Sequence, residues 1–198
     1  MPQKIKFMDN PSNKKTVVMA IGLIVLLIVI IAGLVVWFSR MGKTKQTATV
    51  TNFEECVAAG NPVMESYPRQ CRDGDNNFTE NIGNELDKSD LIRLDTPRPN
   101  QVVKSPLTIS GQARGVWFFE ASFPVFLVDW DGRIIAQGIA TAEEDWMTEN
   151  FVPFTAILEF TPDENVYSNR GALILRKDNP SGLPEHDDAL EIPVLIEK

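Results

Sequence analysis

From Leu107 to Ala113 apolar and polar residues alternate, with Leu107, Ile109, Gly111 and Ala113 set against Thr108, Ser110 and Gln112. That period of two belongs to a strand with one face buried. Comparable runs recur at Leu91–Leu94, Val116–Phe119, Pro124–Trp130, Ile134–Ala140, Phe154–Phe160, Ala172–Arg176 and Leu190–Ile196. Turn residues separate them: Pro97-Arg-Pro-Asn100, Gly115, Asp131-Gly132 and Asp178–Pro184. Asp131-Gly132 between apolar runs is a strong two-residue hairpin signal. The pattern predicts a mainly β domain at 91–198, an antiparallel sandwich of about seven strands.

The N-terminal pattern is of another kind. No charged residue falls between Thr16 and Ser39, and Val17–Phe38 is a run of 22 almost wholly apolar residues. As a helix this run measures roughly 33 Å, against a hydrocarbon core of ~30 Å. Trp37 and Phe38 close it, where aromatic side chains suit a membrane interface. A cleaved signal peptide would carry a shorter apolar core followed by a small-x-small site, and a lipoprotein would place a cysteine there, whereas the first cysteine is Cys56. The expectation is an uncleaved signal-anchor: residues 1–15 as a cytoplasmic tail and 16–39 as a transmembrane helix.

Lysines precede the run and basic residues follow it in similar number, so charge orients it weakly. The cysteines decide. Cys56 and Cys71 are the only two, both beyond the run, with 14 residues between them. A lone pair in a compact segment suits a disulfide in an oxidising compartment, which puts residues 40–198 outside the cytoplasm. Closing such a loop stabilises by ~3 kcal/mol on the chain-entropy model.

Residues 40–51 are polar and aperiodic, a tether; 81–90 read as a linker. Between them, 52–80 form a small unit in which Phe53, Val57 and Ala58 would share a helical face stopped by Gly60, with Val63-Met64 extended after it. Fewer than 30 residues bury little core, so a covalent staple is the expected solution.

Charge divides the chain. Residues 1–45 carry seven Lys/Arg and one acid, net +6, while the remaining 12 basic and 26 acidic residues give −14. A segment at −14 repels nucleic acid and anionic lipid, which excludes a nucleic-acid role. Catalytic signatures are missing: His186 is the sole histidine, and neither a Gly-x-Ser-x-Gly turn nor a phosphate-binding glycine loop is present. No catalytic residue, metal ligand or cofactor is expected. Acidic loops at Glu143-Glu-Asp145 and Glu185-His-Asp-Asp188 offer hard oxygen ligands in principle. Asp73-Gly-Asp75-Asn-Asn77 matches the opening of a calcium loop but lacks its later glycine and glutamate. The candidate contact segment is Trp117-Phe118-Phe119-Glu120. Adjacent aromatics in a strand face opposite sides, so one of Phe118 and Phe119 should meet solvent, while Glu120 should accept backbone amides or pair with an arginine.

Residues 91–196 resemble the immunoglobulin-like domain of bacterial spore germination proteins. The resemblance is carried by Ile92-x-Leu94, Pro97-x-Pro-Asn100, Val103-x-Ser105-Pro-Leu107 and Gly111-x-Ala113-x-Gly115-x-Trp117-Phe-Phe-Glu-Ala121. It continues through Phe123-Pro-Val125, Asp145-Trp-Met147, Phe154, Lys177-Asp-Asn-Pro-Ser-Gly182 and Ile192-Pro-Val194. It implies an immunoglobulin-like sandwich and a sporulation context; the lipoprotein-like companion domain often paired with the module is absent. The segment around Cys56 and Cys71 is similar to a Cys-x14-Cys motif of small anchored bacterial proteins. Together these readings predict a membrane-anchored, non-catalytic module that docks an envelope protein or cell-wall polymer. The alternatives are an accessory subunit of an envelope enzyme or transporter, and a calcium-dependent adhesion module.

Overall fold

The computed structural model describes residues 11–41, 49–163 and 165–197, and within the first segment the side chains of residues 19, 21–35 and 37. Two compact units emerge, 1–49 and 50–198. The first is a helix, α1 (Pro11–Met41), whose 31 residues measure roughly 46 Å. Every side chain described in it is exposed, Leu23, Val29 and Trp37 among them. Among the described residues no helix is long and apolar enough to cross a membrane. The transmembrane expectation for 16–39 therefore rests on the apolar run in the sequence. Residues 1–10 of the expected tail and 42–48 of the expected tether lie outside the described residues.

The second unit opens with α2 (Phe53–Ala58), capped by Asn52, whose Oδ1 accepts the Glu55 amide at 2.8 Å. The Glu55 carboxylate turns back to accept the amide and the hydroxyl of Thr51, both at 2.8 Å. Those two bonds, the amide's first, hold its carboxyl below the usual range. Strands β1 (Val63–Met64), β2 (Gln70–Asp73) and β3 (Asn76–Thr79) form a small antiparallel sheet in that order. The Cys56–Cys71 disulfide ties α2 to β2. The buried face of α2 is Phe53 and Cys56 rather than Phe53, Val57 and Ala58. The bond draws Cys56 inward, leaving Val57 40% exposed. Asp73–Asn77 is the β2–β3 hairpin, with Gly74 at φ +59, and not a calcium loop.

A short helix α3 (Glu85–Lys88) leads into β4 (Ile92–Thr96), β5 (Val102–Val103), β6 (Leu107–Arg114), β7 (Ser122–Asp129), β8 (Ile134–Ala142), β9 (Phe151–Leu158), β10 (Arg170–Arg176) and β11 (Ala189–Ile196). Hydrogen bonds link these eight strands in the order β4-β6-β9-β8-β7-β10-β11-β5. The ladder curls into two layers because β8 follows β7 for most of its length but meets β9 only at Thr141 and Ala142. All pairs are antiparallel except β11–β5. The chain crosses from the β6 layer to the β11 layer between β4 and β5. The result is an immunoglobulin-like sandwich with one short strand, β5, more than the sequence pattern reveals.

Alternation fills the interior as expected. Leu107, Ile109 and Ala113 of β6 pair with Leu158, Ala156 and Val152 of β9, and Leu127, Leu173, Leu175 and Ile192 join them in one core, all buried. Large side chains fully withdrawn from water contribute about 1.5–3 kcal/mol each. Phe123 lies between Phe118 and Phe154, ring centroids 5.2 and 5.0 Å away, the latter edge-on.

Two local expectations fail. Val116–Phe119 is not a strand: Gly115–Trp117 is a turn of 3-10 helix. A strand cannot bury consecutive residues on one side, yet Trp117 and Phe118 both enter the core, so the chain must coil there. The β7–β8 connection is a four-residue loop, Trp130–Arg133, instead of a two-residue turn. The Asp129 carboxylate shapes it by accepting the amides of Asp131 and Arg133 at 3.0 and 2.9 Å and Arg133 Nε at 3.0 Å.

Residues 81–90 join the two parts of this unit and are themselves packed. Ile82 and Glu85 are buried. The Asn84 side chain lies along β11, donating to Ala189 O at 2.9 Å and accepting the Glu191 amide at 2.8 Å. It occupies an edge that would otherwise be bare. Arg98 donates to Glu85 Oε1 at 2.8 Å and to the Tyr67 hydroxyl at 2.8 Å, and that hydroxyl bonds to Glu85 Oε2. Arg69 grips buried Glu80 through Nε and Nη2 at 2.9 and 2.6 Å, and Asn100 adds a bond at 3.1 Å. The stapled subdomain and the sandwich are thus joined by charged hydrogen bonds as well as by the chain.

Candidate functional site

The expected contact segment divides along its length. Trp117 and Phe118 are core, 0% and 4% exposed, while Phe119 is 40% exposed. Of the two phenylalanines it is therefore Phe119 that meets solvent. Glu120 sits at the tip of the turn into β7, where Phe119 and Ser122 exchange hydrogen bonds at 3.0 and 3.1 Å. Both turn residues have positive φ, 51° for Glu120 and 59° for Ala121. Glycine or asparagine normally fills such positions, so this turn is strained. Glu120 is exposed and, among the described residues, bonds neither an amide nor an arginine. The turn, not a core environment, sets its position.

Neighbouring loops complete the surface. Gly115 packs so closely on the loop after β8 that a β-carbon there would fall 2.0 Å from Thr148 O and 2.3 Å from Trp146 O. Met147 on that loop is exposed, as is Val116 next to Gly115. The loop between β10 and β11 joins them through the Asp178 amide, which donates to Trp117 O at 3.1 Å. Exposed carboxylates occur along the same segments: Glu120, Glu143, Glu144, Asp145 and Glu149. The nearby arginine is occupied elsewhere. Arg114 donates to Asp90 O and Glu149 O at 2.5 and 2.8 Å, and with Arg93 it encloses the Phe151 ring, 4.6 and 4.2 Å from the centroid. The turn before β7 and the loop after β8 thus both carry exposed apolar side chains and exposed carboxylates.

His186 meets Ser181 in the β10–β11 loop, Nδ1 to Oγ at 3.0 Å. The hydroxyl donates its own proton to Asn179 Oδ1 at 2.5 Å, so the ring nitrogen is the donor in their contact. A nucleophile needs the reverse polarity, and this arrangement braces the loop. The acidic run 185–188 is used likewise: Asp187 accepts Asn179 Nδ2 at 2.8 Å, and Asp188 pairs with Lys88 at 2.5 Å. Among the described residues no three His, Cys, Asp or Glu side chains are grouped to hold a metal ion.

Three features were not foreseen from sequence. Glu80 and Glu85 are buried acids whose partners, Arg69 and Arg98, are identified only by the fold. Hydrogen bonds from Arg69, chiefly, hold the Glu80 carboxyl below its usual range against the opposing effect of burial. Burial and the bond to Glu85 push the Tyr67 phenol up. The third is an exposed aromatic pair, Trp130 and Tyr167, with ring centroids 5.5 Å apart.

No curated protein and no solved structure matches this chain. The match that exists covers the sandwich from the residue before β4 to the loop before β11. Residues 91–182 fit the family model described as the immunoglobulin-like domain of bacterial spore germination, which is the family that the sequence of the sandwich resembles.

Proposed function

We propose that the protein is a non-catalytic, membrane-anchored docking module of the bacterial cell envelope, held by the helix at 16–39 with its sandwich outside the cytoplasm. The apolar run supports the anchor, the disulfide supports an oxidising location, and the domain family supports a bacterial setting. The observation that carries the docking role is the solvent-facing Phe119, on a strained turn whose segment also exposes Val116 and Glu120. Aromatic anchors in an apolar centre with a charged rim are how protein contacts are built. The partner it fits is a protein presenting an apolar knob among lysines and arginines, an envelope protein in preference to a wall polymer. An anionic bilayer surface is disfavoured by the same charge.

A photoreactive residue at Phe119, with Ile157 on the outer face of β9 as control, tests this in native membranes. One dominant adduct from position 119, absent from 157 and weakened by salt, is the expected result. No adduct, or equal adducts from both positions, would remove the docking role.

A further inference from the structure

A groove of about 630 Å³ crosses the outer face of β7, β10 and β11, and none of its lining comes from the Phe119 patch. Its volume falls within the ~300–1,000 Å³ of ligand sites. The floor is Ala172 and Pro193, register partners whose short side chains leave the sheet bare. One flank comes from the 81–90 stretch, at Asn81 and Gly83; Trp130 and Tyr167 contribute the aromatic rings. These two rings pack against each other at 54° yet remain 47% and 88% exposed, so apolar ring area stays in water.

The polar groups along the groove are mixed. Asn81 uses its oxygen on the Gly83 amide, and Asn100 uses its nitrogen on Glu80 and Asn81 O. That leaves the Asn81 NH₂, the Asn100 oxygen, the Trp130 N–H and the Tyr167 hydroxyl without protein partners among the described residues. Donors and acceptors both stand ready, which suits ligands rich in hydroxyls, each a donor and an acceptor. Charge favours no ion: Asp129 is matched by Arg133, Arg170 faces Glu54 at 3.6 Å, and Glu191 leaves the lining slightly negative. Phosphate-rich and other anionic polymers would be repelled. Flat apolar platforms with unpaired neutral donors and acceptors match sugar rings, which present C–H faces and hydroxyl edges. We infer that this groove binds an uncharged oligosaccharide chain, stacked on Trp130 and Tyr167 and held at its edge by Asn81 and Asn100. Asn81 belongs to the 81–90 stretch that Asn84 fastens along β11, so the site draws on a residue from outside the strands.

The full chain, purified in a sugar-free zwitterionic detergent, is titrated by calorimetry with hexamers of β-1,4-linked N-acetylglucosamine and of β-1,4-linked glucose. Saturable binding of at least one is expected, weakened about tenfold or more in Trp130→Ala and in Tyr167→Ala, the loss typical of an aromatic anchor. Trp130→Phe should lose less, Asn81→Ala should weaken binding, and Phe119→Ala should leave it unchanged. Both aromatic positions are exposed, and unfolding midpoints of the variants verify that they fold. No saturable binding of either hexamer, or binding indifferent to both alanine variants, would overturn the assignment. Tighter binding of a proline-rich peptide than of either sugar would also overturn it, and give the groove to a protein segment instead. Neither result bears on the Phe119 crosslink, which reads a separate surface.

Discussion

Gly83 approaches β11 so closely that a β-carbon on it would lie 1.9 Å from the carbonyl oxygen of Glu191. Its φ of +69° is also one that side chains disfavour. Gly83→Ala should therefore cost about 2–4 kcal/mol, and because Asn84 beside it covers the β11 edge, the 81–90 stretch should become protease-sensitive. Urea unfolding and limited proteolysis read both effects. A variant with the wild-type midpoint would show that this approach is not held in solution.

Glu85 is fixed by Arg98 and Tyr67 together, one from the turn after β4 and one from the stapled subdomain. Removing the acid strands two donors. Glu85→Ala should lose about 2–4 kcal/mol, and Tyr67→Phe, which removes one hydroxyl, about 1 kcal/mol. In the double variant the effects should fall short of additive, since both act on one network.

Acid and alkali should act through different groups. Glu80 and Asp129 have lowered pKa values in the fold. In Asp129 burial is the largest influence and raises the value, but it is outweighed by the Arg133 and Asp131 amides and the Arg133 side chain. Their stabilisation is fully present above the ordinary carboxylate values of about 3.9–4.3 and fades as pH falls through the folded ones. Tyr67 is raised, so its contribution is complete below about pH 10 and is lost as pH rises toward the folded value. Urea midpoints should stay level between these limits as far as the three groups are concerned. Glu80→Gln should flatten the acid limb and Tyr67→Phe the alkaline one.

Phe118 and Phe119 are neighbours with opposite fates. Phe118→Ala opens the core beside Phe123 and should cost about 3–5 kcal/mol. Phe119→Ala should change the midpoint by less than about 0.5 kcal/mol while weakening an adduct formed from a photoreactive residue at Val116. Equal destabilisation by both would mean that Phe119 is a packing residue.

Replacing Cys56 and Cys71 together by alanine should lower stability by about 2–4 kcal/mol. Both sulfurs are fully buried in a core of only three buried residues, Phe53 being the third. Calorimetry with and without reductant should show the same loss in the wild type and none in the double variant.

Period and turn chemistry made most of the sandwich readable. The alternation at Leu107–Ala113 lies within β6, and the run around Phe154 lies in β9, three residues earlier than expected because Pro153 does not interrupt it. The short β5 escaped notice because two residues carry no period; its pairing with Leu195 and Ile196 is a property of the far end of the chain. The coil at Gly115–Trp117 hid behind an aromatic run that resembles a strand. The turn at Glu120-Ala121 had no glycine to mark it. Of the contact segment, the pattern required one of Phe118 and Phe119 to meet solvent, and only the coil at Gly115–Trp117 decides that it is Phe119. The ion pairs of Glu80 and Glu85 were silent for a similar reason: a surface-type acid becomes an interior one only when another segment covers it.

The staple also sets a length. Were tension on the N-terminal side to pull the first subdomain off the sandwich, the 14 residues between Cys56 and Cys71 could not spool out while the bond is intact. Reduced, they would add roughly 50 Å of extended chain, more than the thickness of a ~30 Å hydrocarbon core. The state of this one bond would thus govern how much chain can be drawn out ahead of the sandwich, making the disulfide a fixed stop on a leash.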